Sequence, residues 1–540
     1  MKKYLSGLFS ILFVSWFSAN SQVLTISPTE LNFPILNEKQ IDSLSFTITN
    51  SVTTPVTLKL LQPFRVFKSN PYWVKDTSII VPANGSKTVF VYCRISHNTT
   101  NPGNLILKVT DNYKAGDQFV KLSCQGRYSK VYYNGTQNFS EEALKQALKT
   151  KLALNFNSSS YNEARDKMYA NIDNLNDSVT CVYTNRKAKF NTRSGASSNN
   201  FNCEHTFPQG FFGSSSPMVS DIHHLFSTDE NANNSRGNLP FGIAKPPLIA
   251  TAINAPSKNG GGLYEPQGSH KGSCARAMMY FVLRYQDYQN FYASVKQDSL
   301  FRVWNFNFPP KPKDTLRNAR IFAEQNNRNP FVDYPQFADR MKNLIGVSIS
   351  DSIQKVGISN ESFVHDGESE LSRSLVVWNE GNKKTKVSNI RFALNSPVFL
   401  NNSNQNFTLG YNEARLISFD IQPQIQGLDT LIFETDAPGF TTIRIPVNAI
   451  LISNKEKFTA KAPQIFPNPG TDVAYIDNLE AKNQSVKVKI INIQGKLLKE
   501  MIQLPNSGKM DFKIGDLPSG IYHVTIEQRN RVDQIRFVKL

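Results

Sequence analysis

Cysteine is scarce in this chain, five in 540 residues and none before Cys93, which excludes a disulfide-stapled miniature scaffold and a lipid-bearing cysteine near the N-terminus. Five thiols allow two bridges. Order along the chain pairs Cys93 with Cys124 and Cys181 with Cys203 and leaves Cys274 over, with buried thiols as the alternative at each pair. After Phe17 no apolar run approaches the roughly 20 residues that a membrane-spanning helix requires, so no transmembrane segment is expected. Charged residues make up only 19%, and the net charge of +17 is spread, with +8 of it between residues 130 and 345. Such an excess is compatible with a polyanionic partner such as nucleic acid, and equally with an unremarkable basic surface. The triplet Gly260-Gly261-Gly262 lacks the strand-to-helix setting of a phosphate loop and is read as a flexible connection.

What is present begins with Lys2 and Lys3, an apolar run from Leu5 to Phe17, and small residues at Ala19 and Ser21. This pattern predicts a secretory signal peptide over 1–21 and an exported product. From 22 to 127, short alternating runs such as SLSFTITN and PVTLKLL are broken by turn residues, which predicts an antiparallel β-sandwich. The design returns over 346–453, where SLVVWNEGNKKTKV lies alongside SFTITNSVTTPVTL, and the strand-ending Asn379 alongside Asn50. These two segments resemble the immunoglobulin-like domains of the hydin-type family; no partner for them is legible.

Residues 460–540 form a further β module. Its residues FPNP at 466–469, IQGK at 493–496 and LPSGIYHV at 517–524 are similar to the C-terminal sorting domain of the type IX secretion system. The resemblance implies an export address read by the type IX machinery, a source among the Bacteroidetes, and a secreted or cell-surface protein.

Between the sandwiches, over 130–345, the texture is helical. Ser140 is placed to cap a helix with Glu141 and Glu142 in its first turn, a second helix is predicted over Tyr161–Ile172, and a third over 274–285. With short strands between them, an α+β domain is expected. Here three of the seven histidines fall between Asn202 and Asn238, in NCEHTFPQGFFGSSSPMVSDIHHLFSTDENANNSRGN. Glu204 and His205 are adjacent, and Asp221, His223 and His224 follow. Such density suits a site better than a core. Phosphodiester hydrolysis needs a base to deprotonate water and a hard cation held by one or two protein oxygens. Alternating strand geometry would send Glu204 and His205 to opposite faces, so a bend between them is expected if both address one phosphate. Thr228 is placed to cap a helix that ends at Gly237.

Four blocks in order, NCEHTFPQGFF, SDIHHLFSTDENANNSRGNLPFG, HKGSCARAMMYFVLRY and QNNRNPFVDYP, resemble the bacterial endonuclease I family, nucleases with a ββα-metal (His-Me finger) core. The resemblance implies His205 as general base and Glu204 and Asn233 as ligands of Mg²⁺, or of Ca²⁺ or Mn²⁺. It implies cleavage of DNA, and of RNA as well, with low sequence specificity and 5′-phosphate products. It also implies an arginine between the first two blocks, yet Thr206–Ser220 holds no Lys or Arg. Arg236 is the first substitute, with Arg186, Arg193 and Arg276 behind it. Two rivals are carried: a non-enzymatic surface-binding protein with an inactive nuclease domain, and a zinc hydrolase built on Asp221, His223 and His224 with Cys203.

Overall fold

The computed structural model describes residues 23–540 except 63–69, 111–114, 251–255, 295, 366–370, 395–397, 402–405, 422–426, 450–462, 480–484, 493–496, 507 and 529–530. The expected signal peptide over 1–21 and the IQGK signature at 493–496 lie outside the described residues. The chain divides into two compact units, Met1–Leu451 and Ile452–Leu540.

Three cores fill the first unit, with members running Leu24–Cys124, Tyr128–Leu344 and Val356–Val447. The first is a two-sheet sandwich. One sheet orders Leu24–Ser27, Ile41–Asn50, Ser86–Arg94 and Tyr72–Val74; the other orders Glu30–Asn37, Gln118–Arg127, Thr100–Val109, Val56–Leu61 and Ser78–Val81. Alternation drives it: Val56, Leu58 and Leu60 point inward from one strand. The sandwich is not wholly antiparallel, because Glu30–Asn37 and Gln118–Arg127 run parallel. The third core repeats this plan of four plus five strands, with Phe363–His365 and Thr442–Ala449 as the parallel pair.

The repeat extends to single hydrogen bonds. Asn50 Nδ2 donates to the Thr54 carbonyl at 2.8 Å and its Oδ1 accepts from Val52 N at 3.1 Å; Asn379 makes the same pair to Lys383 at 2.8 Å and Gly381 at 2.8 Å. Each asparagine thereby closes the turn that ends its strand. The two sandwiches meet along Ile106, Val376, Trp378 and Ala414. Asp117 is buried in that seam, accepting from Val109 N and Asn360 Nδ2, both at 2.8 Å.

The middle core is built on α1 (Glu141–Ala153), α2 (Tyr161–Lys167), β1 (Phe201–His205), β2 (Leu225–Asp229), α3 (Glu230–Arg236), α4 (Gly268–Arg284) and α5 (Pro312–Gln325). Leu144, Leu148 and Leu152 of α1 share one face and enter the core. Ser140 precedes α1 but its hydroxyl caps nothing; Glu141 and Glu142 instead bind Ser348, across the domain. Helix α4 starts before the expected 274, and Gly272 within it is closely packed: a Cβ there would come within 2.1 Å of the Phe308 carbonyl. That close approach lets α4 run buried through the centre of the domain.

The second unit has a three-stranded sheet (Gln464–Phe466, Val473–Asp477, Met510–Lys513) and a four-stranded one (Leu497–Gln503, Val486–Asn492, Gly520–Gln528, Arg531–Lys539) around one core. Asn468 of the FPNP signature fastens the last strand, donating to Arg536 O at 2.8 Å and accepting from Val538 N at 2.9 Å. The Tyr522 hydroxyl of LPSGIYHV donates back to Pro518 O.

Candidate active site

Strands β1 and β2 pair antiparallel without interruption from Phe201↔Asp229 to His205↔Leu225, and α3 follows at once. The cap of α3 is Asp229 rather than Thr228: Asp229 Oδ1 accepts from Ala232 N at 3.2 Å, while Thr228 is still buried in the ladder. Gly237 closes the helix at φ +50°. The expected bend between Glu204 and His205 is absent, and the two side chains diverge.

Glu204 is buried. Its Oε1 accepts from the Tyr183 hydroxyl at 2.7 Å and pairs with Arg236 Nη1 at 3.1 Å. Burial raises its pKa, opposed by the Arg236 charge and the Tyr183 hydroxyl. His205, on the other face, is 5% exposed and packs against Tyr161, ring centroids 5.3 Å apart. Its Nε2 lies 3.1 Å from the Val219 carbonyl. A carbonyl only accepts, so Nε2 carries the proton and Nδ1 holds the lone pair. Burial pushes the imidazole pKa down to about 3, helped by the charges of His224 and, to a lesser degree, Arg236 and Arg165, and opposed by the Val219 carbonyl. The ring is therefore neutral near pH 7, the form a base requires.

Asn233, on α3, is half-buried and donates through Nδ2 to Cys203 O at 3.4 Å. That bond brings it to the residue before Glu204 and leaves Oδ1 for another partner. Glu204 Oε2 likewise takes no hydrogen bond among the described residues. Two uncommitted oxygens, one of them a carboxylate, fit a hard divalent ion that keeps most of its water. Among the described residues no three His, Cys, Asp or Glu side chains converge as a ligand cluster.

The four arginines expected as phosphate ligands are otherwise engaged. Arg236 is 1% exposed; beside Glu204 it donates to the carbonyls of His205 at 3.0 Å and Thr206 at 2.8 Å, and its guanidinium covers Phe241. It locks the end of β1 to α3. Arg186 pairs with Asp229 at 2.7 Å, Arg193 with Asp166 at 2.8 Å, and Arg276 is buried against Phe308 O at 2.8 Å and Asp314 at 3.6 Å.

The second histidine cluster is built into the scaffold. Asp221 accepts from Tyr280, Tyr285, Arg284 and Gln325. Burial opposes its ionisation, but the Arg284 guanidinium and its other partners outweigh that and hold its pKa well below the carboxylate range. His223 Nε2 meets Asn327 O at 3.1 Å and His224 Nε2 meets Met218 O at 2.7 Å. All five cysteines are buried thiols and neither expected bridge is formed. Cys181 Sγ accepts the backbone N–H of Tyr183, Thr184 and Asp229, and burial pushes the Cys203 thiol up to about 12, hydrogen-bonded to Tyr161. A thiol held protonated is a poor zinc ligand. Tyr161 marks a helix start in the sequence, but nothing local marks the ring of Tyr161 or of Tyr183 as a partner of the Glu-His pair.

Comparison with known proteins places two segments of the chain in known families. Residues 139–336 match the family model for endonuclease I, and residues 464–539 match that of the secretion system C-terminal sorting domain. The chain is 30% identical over 238 residues to an extracellular ribonuclease of Bacillus amyloliquefaciens, covering 39% of this chain and 78% of that protein. A Bacillus subtilis extracellular ribonuclease is 28% identical over 229 residues, again 39% of this chain and 78% of the relative. An extracellular deoxyribonuclease of Aeromonas hydrophila is 27% identical over 118 residues, 22% of this chain and half of that protein. The four sequence blocks all fall inside the matched span, and the sorting domain marks a product destined for the cell exterior. This chain belongs to the endonuclease I family and is a secreted or cell-surface nuclease.

Proposed function

We propose that the protein is a divalent-ion-dependent endonuclease that hydrolyses DNA, and RNA as well, with little sequence preference. The observation that carries this is the polarity of His205: with Nε2 committed to the Val219 carbonyl, a neutral imidazole offers Nδ1 as base. Glu204 Oε2 and Asn233 Oδ1 would hold Mg²⁺, with Ca²⁺ or Mn²⁺ as substitutes. The bound ion would neutralise charge on the scissile phosphate and on the departing oxygen. His205 Nδ1 takes a proton from water, the water oxygen attacks phosphorus, and the bond to O3′ breaks; O3′ takes a proton from solvent water, leaving a 5′-phosphate and a 3′-hydroxyl. Because the β1 ladder is regular, the phosphodiester would cross the edge of that strand, where groups from both faces reach it. Arg236 and Tyr183 hold Glu204 in place and oppose the rise in its pKa that burial causes. The relatives' names include both a ribonuclease and a deoxyribonuclease, which supports tolerance of either sugar. The ββα-metal core and the immunoglobulin-like character of the sandwiches belong to this reading.

Purified protein incubated with plasmid and with single-stranded RNA tests it. Cleavage of both in Mg²⁺, abolished by a chelator and restored by added ion, is the expected result. Cleavage that persists in chelator would rule out the ion's role, and no cleavage in any divalent ion would favour a binding protein.

A further inference from the structure

We propose that Arg165 is the residue that grips the scissile phosphate, an assignment that rests on the hydrolytic reading above. The arginines nearest the β1–β2 ladder spend their charge on carboxylates: Arg236 on Glu204, Arg186 on Asp229, Arg193 on Asp166, Arg317 on Asp173 at 2.7 Å. Arg165 makes no ion pair with any described residue. The acids beside it are taken, Asp166 by Arg193 and Glu163 by the cap of α2 at Ser160. Its Nη2 donates to Asn162 Oδ1 at 2.7 Å, and its Nε is buried without a partner.

Its position matches the need. Arg165 stands one helical turn after Tyr161 on α2, with its Cζ 4.4 Å from the Tyr161 ring centroid; that ring packs in turn on His205. The guanidinium is thus one aromatic ring away from the proposed base. Thr206–Ser220, which follows the base in sequence, supplies no cation of its own. A buried N–H without an acceptor is costly unless a ligand satisfies it. A phosphodiester presents two non-bridging anionic oxygens, which a guanidinium fork with free donors can take at once. Arg165 contributes charge and orientation while His205 moves the proton.

The test compares wild type, Arg165→Met and Arg165→Lys. Methionine keeps the apolar stem against Tyr161 and removes the charge. In Mg²⁺ the expected result is a fall in kcat/KM of about 10²–10³ for Arg165→Met, partly recovered by Arg165→Lys, with an unchanged thermal midpoint. Cutting by Arg165→Met within about threefold of wild type would overturn the proposal, and so would equal losses in both variants accompanied by a lowered midpoint. A second readout does not need turnover: in chelator, the slope of log binding constant against log salt for duplex DNA should fall by about 0.9 in Arg165→Met, one phosphate contact fewer. An unchanged slope refutes the assignment. Wild type that binds DNA but cleaves nothing would sink the hydrolytic reading while the slope still judges Arg165.

Discussion

At the scale of single residues, the site is held by a buried ion pair whose removal should be felt as instability before it is felt as chemistry. Arg236 and Glu204 are 1% exposed each, and Arg236 also takes the carbonyls of His205 and Thr206. Replacing Arg236 with methionine leaves a buried carboxylate without its counter-charge and removes the donor to two carbonyls. A loss of about 3–5 kcal/mol in denaturant unfolding is expected; a change below about 1 kcal/mol would mean the pair is dispensable. Glu204 and His205 stand out in the sequence as an adjacent acid–histidine pair, and Asn233 is singled out by the resemblance to the endonuclease I family. It could not show that Arg236 is a clamp rather than a phosphate ligand, since burial and partners are set by residues far along the chain. Tyr183 escaped for the same reason: its contact with Glu204 spans a loop, a helix and a strand.

At the scale of elements, the strand–strand–helix unit depends on Asp229, which ends β2, caps α3 and pairs with Arg186. Asp229→Ala should cost about 1 kcal/mol through the lost cap, read as faster amide hydrogen exchange over Glu230–Arg236. Exchange equal to wild type would transfer the capping role elsewhere. Element types were legible from periodicity, as in the leucines of α1 and the alternating Val56, Leu58 and Leu60. Ends were not. Ser140 and Thr228 have the right chemistry for caps, but the caps went to tertiary partners or to the next residue, and α4 begins at Gly268, before the apolar run that marks it in the sequence, with Gly272 making a backbone contact no local pattern reveals. The regular ladder through His205 likewise replaced an anticipated bend.

At the scale of the whole molecule, the repeat of one sandwich was readable by laying segments side by side, whereas the seam between the copies was not. Asp117 lies buried there, and desolvation lifts its pKa from 3.8 to about 6 against the hydrogen bonds it accepts from Ser359, Val109 and Asn360. Its folded pKa is raised, so the folded state holds the proton more tightly than the unfolded chain. Its contribution is therefore complete below about pH 4 and lost as pH rises through about 6. Wild type should show a stability decline across that window that Asp117→Asn lacks; identical pH profiles of thermal midpoint would contradict the assignment.

The central claim, that His205 is the base of a metal-assisted phosphodiesterase, is tested most directly by the initial rate of plasmid cleavage in Mg²⁺ for wild type and His205→Ala side by side. A loss of about 10²–10⁴-fold with an unchanged thermal midpoint is predicted; cleavage by His205→Ala at the wild-type rate would contradict it.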